Sequence, residues 1–144
     1  MAMVEVKNNA YDFSEKTDGG SPGDTQPLIT NGQGRAFLPF EIVLNSAAPF
    51  YCGEVREAGG IADTATGRIN INHNRVIRTN QFSGTIAAGV EVYFQPGGAG
   101  AAGAIVPIAG KSAGSIKFGR CEGVGTGWVE IRPYAFSDVR ILEI

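Results

Sequence analysis

The chain has 144 residues, a formal net charge of −2 and 43% hydrophobic residues, the size and composition of one domain that buries its own core. Because a nucleic-acid-binding protein needs a basic face to neutralise phosphates, the acidic balance argues against that class. No apolar stretch approaches the length of a membrane span and no basic, then apolar leader opens the chain, so we expect a protein made in a cytoplasm, with no membrane partner and with reduced thiols at Cys52 and Cys121.

Residues 1–34 are predicted to form an extended N-terminal arm. They hold one short alternating run, followed by polar sequence that Gly and Pro interrupt and that is too poor in apolar residues to make a core. We expect the arm to be weakly ordered alone, to be dispensable for folding, and to dock on a partner through four apolar side chains: Val4, Val6, Tyr11 and Phe13. The alternatives are a terminus with no role, or an edge strand on the chain's own domain.

Residues 35–144 are predicted to form a single β domain. Short runs rich in β-branched and aromatic residues alternate apolar and polar positions, and turn-forming residues separate the runs. Val92 and Phe94, for example, fall on one face of a run, while Glu91 and Tyr93 fall on the other. The 21 glycines of the chain follow no collagen repeat and are typical of the many turns of an all-β protein.

Helices are not predicted. The best candidate, residues 58–65, contains two glycines and two threonines, and no segment shows an apolar stripe of helical period. The sequence therefore predicts an all-β fold of eight to ten strands, a small β-barrel or β-sandwich with short connections. The run at residues 139–144 is predicted to be a closing strand.

Two glycine motifs resemble phosphate-binding loops without fitting them. Residues 98–103 match the spacing GxGxxG, but Pro107 follows too closely for a helix, so the segment is predicted to be a hairpin loop. Residues 110–112, Gly-Lys-Ser, resemble the end of a P-loop, but Ile105 stands where the first glycine of that motif belongs. A turn is the better interpretation.

The charged residues do not indicate a reaction centre. His73, the single histidine, falls in a predicted turn, and no nucleophile motif accompanies it. The acidic residues of the arm lack the ligand spacing of a calcium loop; these are Asp12, Glu15, Asp18 and Asp24. Three arginines, Arg68, Arg75 and Arg78, are interpreted as a solvated strand face. We therefore predict no catalytic residue, no metal and no cofactor.

Residues 50–132 include an ordered series of strand-like segments: Ile86-Ala-Ala-Gly-Val-Glu-Val-Tyr-Phe, Ile105-Val-Pro-Ile, Ser115-Ile-Lys-Phe-Gly-Arg-Cys and Trp128-Val-Glu-Ile-Arg. This part of the chain resembles the capsid decoration (cement) proteins of tailed phages, one branch of which carries a recombinase label. The chain departs from the family at residues 118–121, where small residues are commoner, and continues past its usual end with residues 134–144.

The resemblance implies a homotrimer that sits on the outside of a phage capsid, contacts the major capsid protein and stabilises the shell. The expected location is the virion surface, after assembly in the host cytoplasm. A first alternative is a head-fibre or carbohydrate-binding module that stacks sugars on Trp128, Tyr93 and Tyr134. A small β-fold hydrolase is a second alternative, against which the single histidine and the broken motifs count.

Overall fold

The computed structural model describes residues 11–17, 26–45, 47, 50–98 and 100–135, and it confirms the all-β prediction. The described part contains ten strands: β1 Phe13–Thr17, β2 Leu28–Thr30, β3 Ile42–Leu44, β4 Cys52–Val55, β5 Thr66–Asn70, β6 Arg75–Thr79, β7 Glu91–Gln95, β8 Ala104–Val106, β9 Ile116–Gly125 and β10 Trp128–Pro133. One turn of 3₁₀ helix spans Ile108–Gly110. The rejected helix candidate, residues 58–65, consists of turns and one isolated β-bridge.

The strands form two antiparallel sheets. The larger sheet has the order β1-β6-β10-β9-β7-β8 and curls into a half-barrel, and the smaller has the order β2-β5-β4-β3. The hairpin of β9 and β10 is the longest feature and turns at Thr126 and Gly127, where Gly127 has a φ of 78°. A left-handed residue is what a tight hairpin turn requires, and glycine adopts that conformation without steric cost.

Each sheet has its own apolar core. The core of the larger sheet lies inside the half-barrel and contains, among others, Val92 and Phe94 of β7, as the predicted alternation requires. The smaller sheet packs a second cluster on its other face. The strand β3 serves both, because successive side chains of a strand point to opposite faces: Ile42 enters the first core and Val43 the second.

The predicted boundary between an arm and a domain at residues 34 and 35 is corrected by the pairing of the first two strands. The strand β1 pairs with β6 along its whole length, and β2 pairs with β5. Phe13 is only 1% exposed, and its ring stacks on Phe40 with 5.0 Å between the centroids. From Phe13 onward the described chain thus belongs to the β domain, as in the edge-strand alternative. Val4, Val6 and the predicted strand at residues 139–144 lie outside the described residues.

Candidate functional site

One concave feature of the described part is an apolar cleft of about 240 Å³ between the β3 edge and the loop from β7 to β8. We call it the β3 cleft. Its lining is largely apolar, with two charged residues: Gln33, Arg35, Phe37, Glu41, Ile42, Val43, Leu44, Phe50, Phe94, Pro96, Gly97, Ala101, Gly103 and Gly114. The cleft thus lies at the seam where the β3 edge of one sheet faces the β7–β8 loop of the other.

The strand β3 ends its sheet and turns part of its backbone toward the cleft. Glu41 and Asn45 make backbone bonds to the segment that contains β4. In an antiparallel ladder every second residue bonds to the neighbouring strand, and the residues that alternate with these direct their N–H and C=O groups to the other side. Ile42 and Leu44 are those residues, so their backbone groups face away from β4, toward a side where no strand of the described residues pairs with β3.

The amide side chain of Gln81 satisfies this edge at Ile42. Its Oε1 accepts from the Ile42 N–H at 2.6 Å, and its Nε2 donates to the Ile42 carbonyl at 2.9 Å and to the Gly103 carbonyl at 3.0 Å. Gln81 is 3% exposed. A buried side-chain amide thereby occupies the place of a neighbouring strand at one residue of β3, and it ties that strand to the loop before β8.

The β7–β8 loop (residues 96–98 and 100–103) forms one wall of the cleft and confirms the hairpin interpretation of the GxGxxG match. A Cβ atom at Gly97 would lie 2.4 Å from the carbonyl oxygens of Ala101 and Ala102, and one at Gly103 would lie 2.5 Å from that of Gln95. Of the three glycines in the motif, Gly103 is required by this close approach and Gly100 has a φ of 75°, so both serve a tight hairpin loop.

An ion pair between Arg35 and Glu41 forms the polar part of the lining. Glu41 is fully buried and accepts hydrogen bonds from both terminal nitrogens of Arg35 and, at 2.9 Å, from the Leu38 N–H. The hydrogen bonds to Glu41 raise the pKa of Arg35. The predicted contact residue Tyr11 donates its backbone N–H to the Pro39 carbonyl at 3.3 Å, and burial together with the Glu41 charge raises the pKa of its hydroxyl. Within the described chain, the buried Arg35 Nε has no hydrogen-bond partner.

A second ionic cluster joins the two sheets and corrects the interpretation of Arg75 as solvated. Arg75 has 0% exposure. Its guanidinium pairs with the fully buried Glu54 of β4 and lies 3.3 Å from Glu15 of β1, and it donates to the Asn70 carbonyl at 3.0 Å. Arg56 pairs with Glu15 at 2.8 Å. The cluster therefore connects β1, β4 and β6 where the interface between the sheets is polar.

Glu54 is the least satisfied member of this cluster. Burial raises the pKa of its carboxyl above the ordinary value, and the charges of Arg75 and Arg56 oppose that rise. Its Oε1 has no hydrogen-bond partner among the described residues. Because one arginine balances this buried carboxylate closely, the cluster is a structural element on which folding depends strongly.

The aromatic residues named for the carbohydrate-binding alternative are engaged within the protein. The Trp128 ring lies under the Arg78 guanidinium at 3.8 Å, and Arg78 also pairs with Glu130 at 2.9 Å. Tyr93 is 2% exposed, and its hydroxyl donates to Glu91. Tyr134 donates to the same carboxylate and thereby lowers the Glu91 pKa. The arrangement offers that alternative no open stacking platform at these three residues.

Replacing Arg78 by methionine is expected to uncover the ring of Trp128, the single tryptophan of the chain. Acrylamide quenching of tryptophan fluorescence should rise by about twofold, while the free energy of unfolding falls by only about 1 kcal/mol, since the lost cation–π contact and partly exposed ion pair are both weak. Arg120→Met, at an exposed arginine, is the matched control. Unchanged quenching in R78M would contradict this packing.

The remaining predicted positions are scattered. His73 is exposed in the turn between β5 and β6, as predicted, and Gly110-Lys-Ser ends the 3₁₀ turn. Asp18 and Asp24 lie outside the described residues, and Glu15 belongs to the buried cluster. Over the described ranges, no three His, Cys, Asp or Glu side chains are grouped to hold a metal ion, and no helix there is long and apolar enough to cross a membrane.

No family model, curated protein or solved structure matches this chain.

Three of the residues that build these sites escaped the sequence interpretation. In the sequence, Gln81 and Arg75 are polar residues of a region of predicted strands and turns, and nothing marks them as buried. Glu41 directly precedes an apolar run and belongs to no motif. The one local signal was the sequence Glu-Ile-Val-Leu, which places a charge directly before three apolar residues. Their partners are distant in sequence: 39 residues separate Gln81 from Ile42.

Proposed function

We propose that this protein is a capsid decoration protein. It binds the outside of a phage capsid as a homotrimer, contacts the major capsid protein, and acts by binding alone. The resemblance of residues 50–132 to that family supports the assignment to a virion. The observation that carries the binding role is the open β3 edge beside an apolar cleft, since a strand edge and a groove together form a surface that a neighbouring protein completes.

Stabilisation of the shell follows from the same physics as folding. A particle under internal pressure fails where its subunits separate. A protein that spans such a seam buries apolar surface on both sides of it, which contributes about 25 cal/mol for each Å² removed from water. Because the protein binds only the assembled surface, it stabilises that state by mass action. Decoration after assembly in the host cytoplasm places it on the virion surface.

The proposed arm contact is narrower than the sequence alone indicates. Phe13 fills the protein's own core, so its ring is already in contact with the chain itself. The contact residues in this proposal are therefore Val4, Val6 and Tyr11, with the two valines setting the register of a strand added to a capsid-subunit sheet. A deletion meant to spare the fold has to end before β1, which begins at Phe13.

Deleting residues 2–10 is expected to lower the copy number of the protein on purified particles by about tenfold or more, because the arm supplies part of the adhesive surface. Mass spectrometry of particles, relative to the major shell protein, measures this. Circular dichroism should be unchanged. Within the full-length chain, Val4→Ser with Val6→Ser should repeat the loss, and Glu5→Gln with Lys7→Gln is the matched control on the other face of the run.

The two parts of the proposal fail differently. Absence of the wild-type protein from particles, together with no sedimentation alongside emptied capsids, contradicts the decoration function. Normal occupancy by the deleted chain contradicts only the role of the arm.

A further inference from the structure

The β3 edge already binds one peptide-like group. The Gln81 amide gives Ile42 an acceptor and a donor at the positions where a neighbouring strand would supply them. Two residues along, Leu44 turns its N–H and C=O to the same side, where the β3 cleft begins. A strand paired along this side of β3 would form its backbone hydrogen bonds at every second residue, and therefore at Leu44 after Ile42.

The size of the cleft selects the kind of group that fits. At about 240 Å³ it is smaller than the roughly 300–1,000 Å³ of a pocket for a small-molecule ligand. Phe50, Phe94 and Pro96 give it apolar walls. A large apolar side chain projecting from an extended backbone suits this space better than a free ligand does.

The charges of the cleft also restrict its occupant. Arg35 and Glu41 neutralise each other, so a basic side chain would meet Arg35 and an acidic one would meet the buried Glu41, each at a desolvation cost. The charge balance of the cleft therefore favours an uncharged occupant.

From these observations we infer that the β3 cleft is the docking site of an extended, uncharged peptide segment of another protein. The segment pairs its backbone with Leu44 and inserts an aromatic or large aliphatic side chain between Phe50 and Phe94. Only the identity of the partner, a capsid subunit, rests on the proposed function. The strand addition itself follows from the cleft.

The test uses three full-length proteins and a random library of 12-residue peptides selected on the wild type. Ala101→Trp fills the cleft from its exposed wall, and Ala88→Trp places the same side chain at an exposed alanine outside the lining. Selected peptides should carry an uncharged apolar anchor. In fluorescence anisotropy their affinity should fall by about tenfold or more for A101W and by less than about twofold for A88W. The Leu44 amide should become protected from hydrogen exchange on peptide binding.

Each result decides the inference. Equal peptide affinity for A101W and wild type, unchanged exchange at Leu44, or a library that yields no binders overturns it. Thermal unfolding of both variants verifies that they fold. Particle occupancy separates this inference from the proposed function. If A101W is found on particles at the wild-type copy number, cleft docking is contradicted and decoration is not. If the protein binds peptides but is absent from particles, decoration is contradicted and the cleft assignment is not.

Discussion

Replacing Arg75 by methionine is expected to lower the free energy of unfolding by about 3–5 kcal/mol, the range found when one partner of a buried ion pair is removed. The reason is that Glu54 is fully buried and would lack the guanidinium that balances its charge. For a domain of this size the melting temperature should fall by roughly 10–15 °C. Thermal and urea unfolding measure both quantities.

Two further variants distinguish a charge effect from lost packing. Arg132→Met removes a partner of the exposed pair with Glu122 and should cost less than about 1 kcal/mol. Adding Glu54→Gln to R75M should restore at least half of the lost stability, because it removes the uncompensated charge. An R75M protein as stable as R132M, or a double variant no better than R75M, would contradict the role assigned to the cluster.

The same cluster has a pH dependence of defined sign. Burial raises the Glu54 pKa in the folded protein, and the loss of Arg75 removes the largest opposing charge. A carboxyl whose folded pKa lies above its unfolded value contributes most stability below the unfolded pKa and loses it as the pH rises through the folded one. The difference in the free energy of unfolding between wild type and R75M should therefore be smaller at about pH 5 than at about pH 8.

Replacing Gln81 by leucine is expected to cost about 3 kcal/mol. The substitution leaves the Ile42 N–H without its acceptor and the carbonyls of Ile42 and Gly103 without their donor, and an unsatisfied buried group costs about 1–3 kcal/mol. The neighbouring cleft lets water reach part of the site, which holds the total below the sum of three full penalties. Urea unfolding gives the magnitude, and faster hydrogen exchange at the Ile42 amide gives the location.

Gln26→Leu, at an exposed glutamine, is the control and should change stability by less than about 0.5 kcal/mol. A Q81L protein that unfolds like the control would mean that Gln81 does not bridge β3 to the loop before β8. A stability loss without faster exchange at Ile42 would place the damage elsewhere.

The local part of the fold was readable in the sequence. Alternating apolar residues in the segments that became β7, β9 and β10 predict strands, because the two faces of a strand differ in burial wherever one side meets a core. Turn residues such as Thr126 and Gly127 mark the hairpin ends, since their conformational preferences act within a few residues. The broken glycine motif at residues 98–103 was a hairpin loop for equally local reasons.

Burial and the sites were decided by the tertiary structure. Phe13 has the same neighbours in sequence whether it docks on a partner or on Phe40, and only the pairing of β1 with β6 assigns it to the core. Arg75 becomes buried because Glu54 and Glu15, 21 and 60 residues away, reach it from other strands. The β3 cleft likewise exists only because the edge of one sheet meets the β7–β8 loop of the other. Sequence alone determined which segments extend and where they turn, because these properties depend on neighbouring residues. The tertiary structure decided which charges are buried and which strand edge stays unpaired among the described residues, because these depend on contacts between segments that are far apart in the chain.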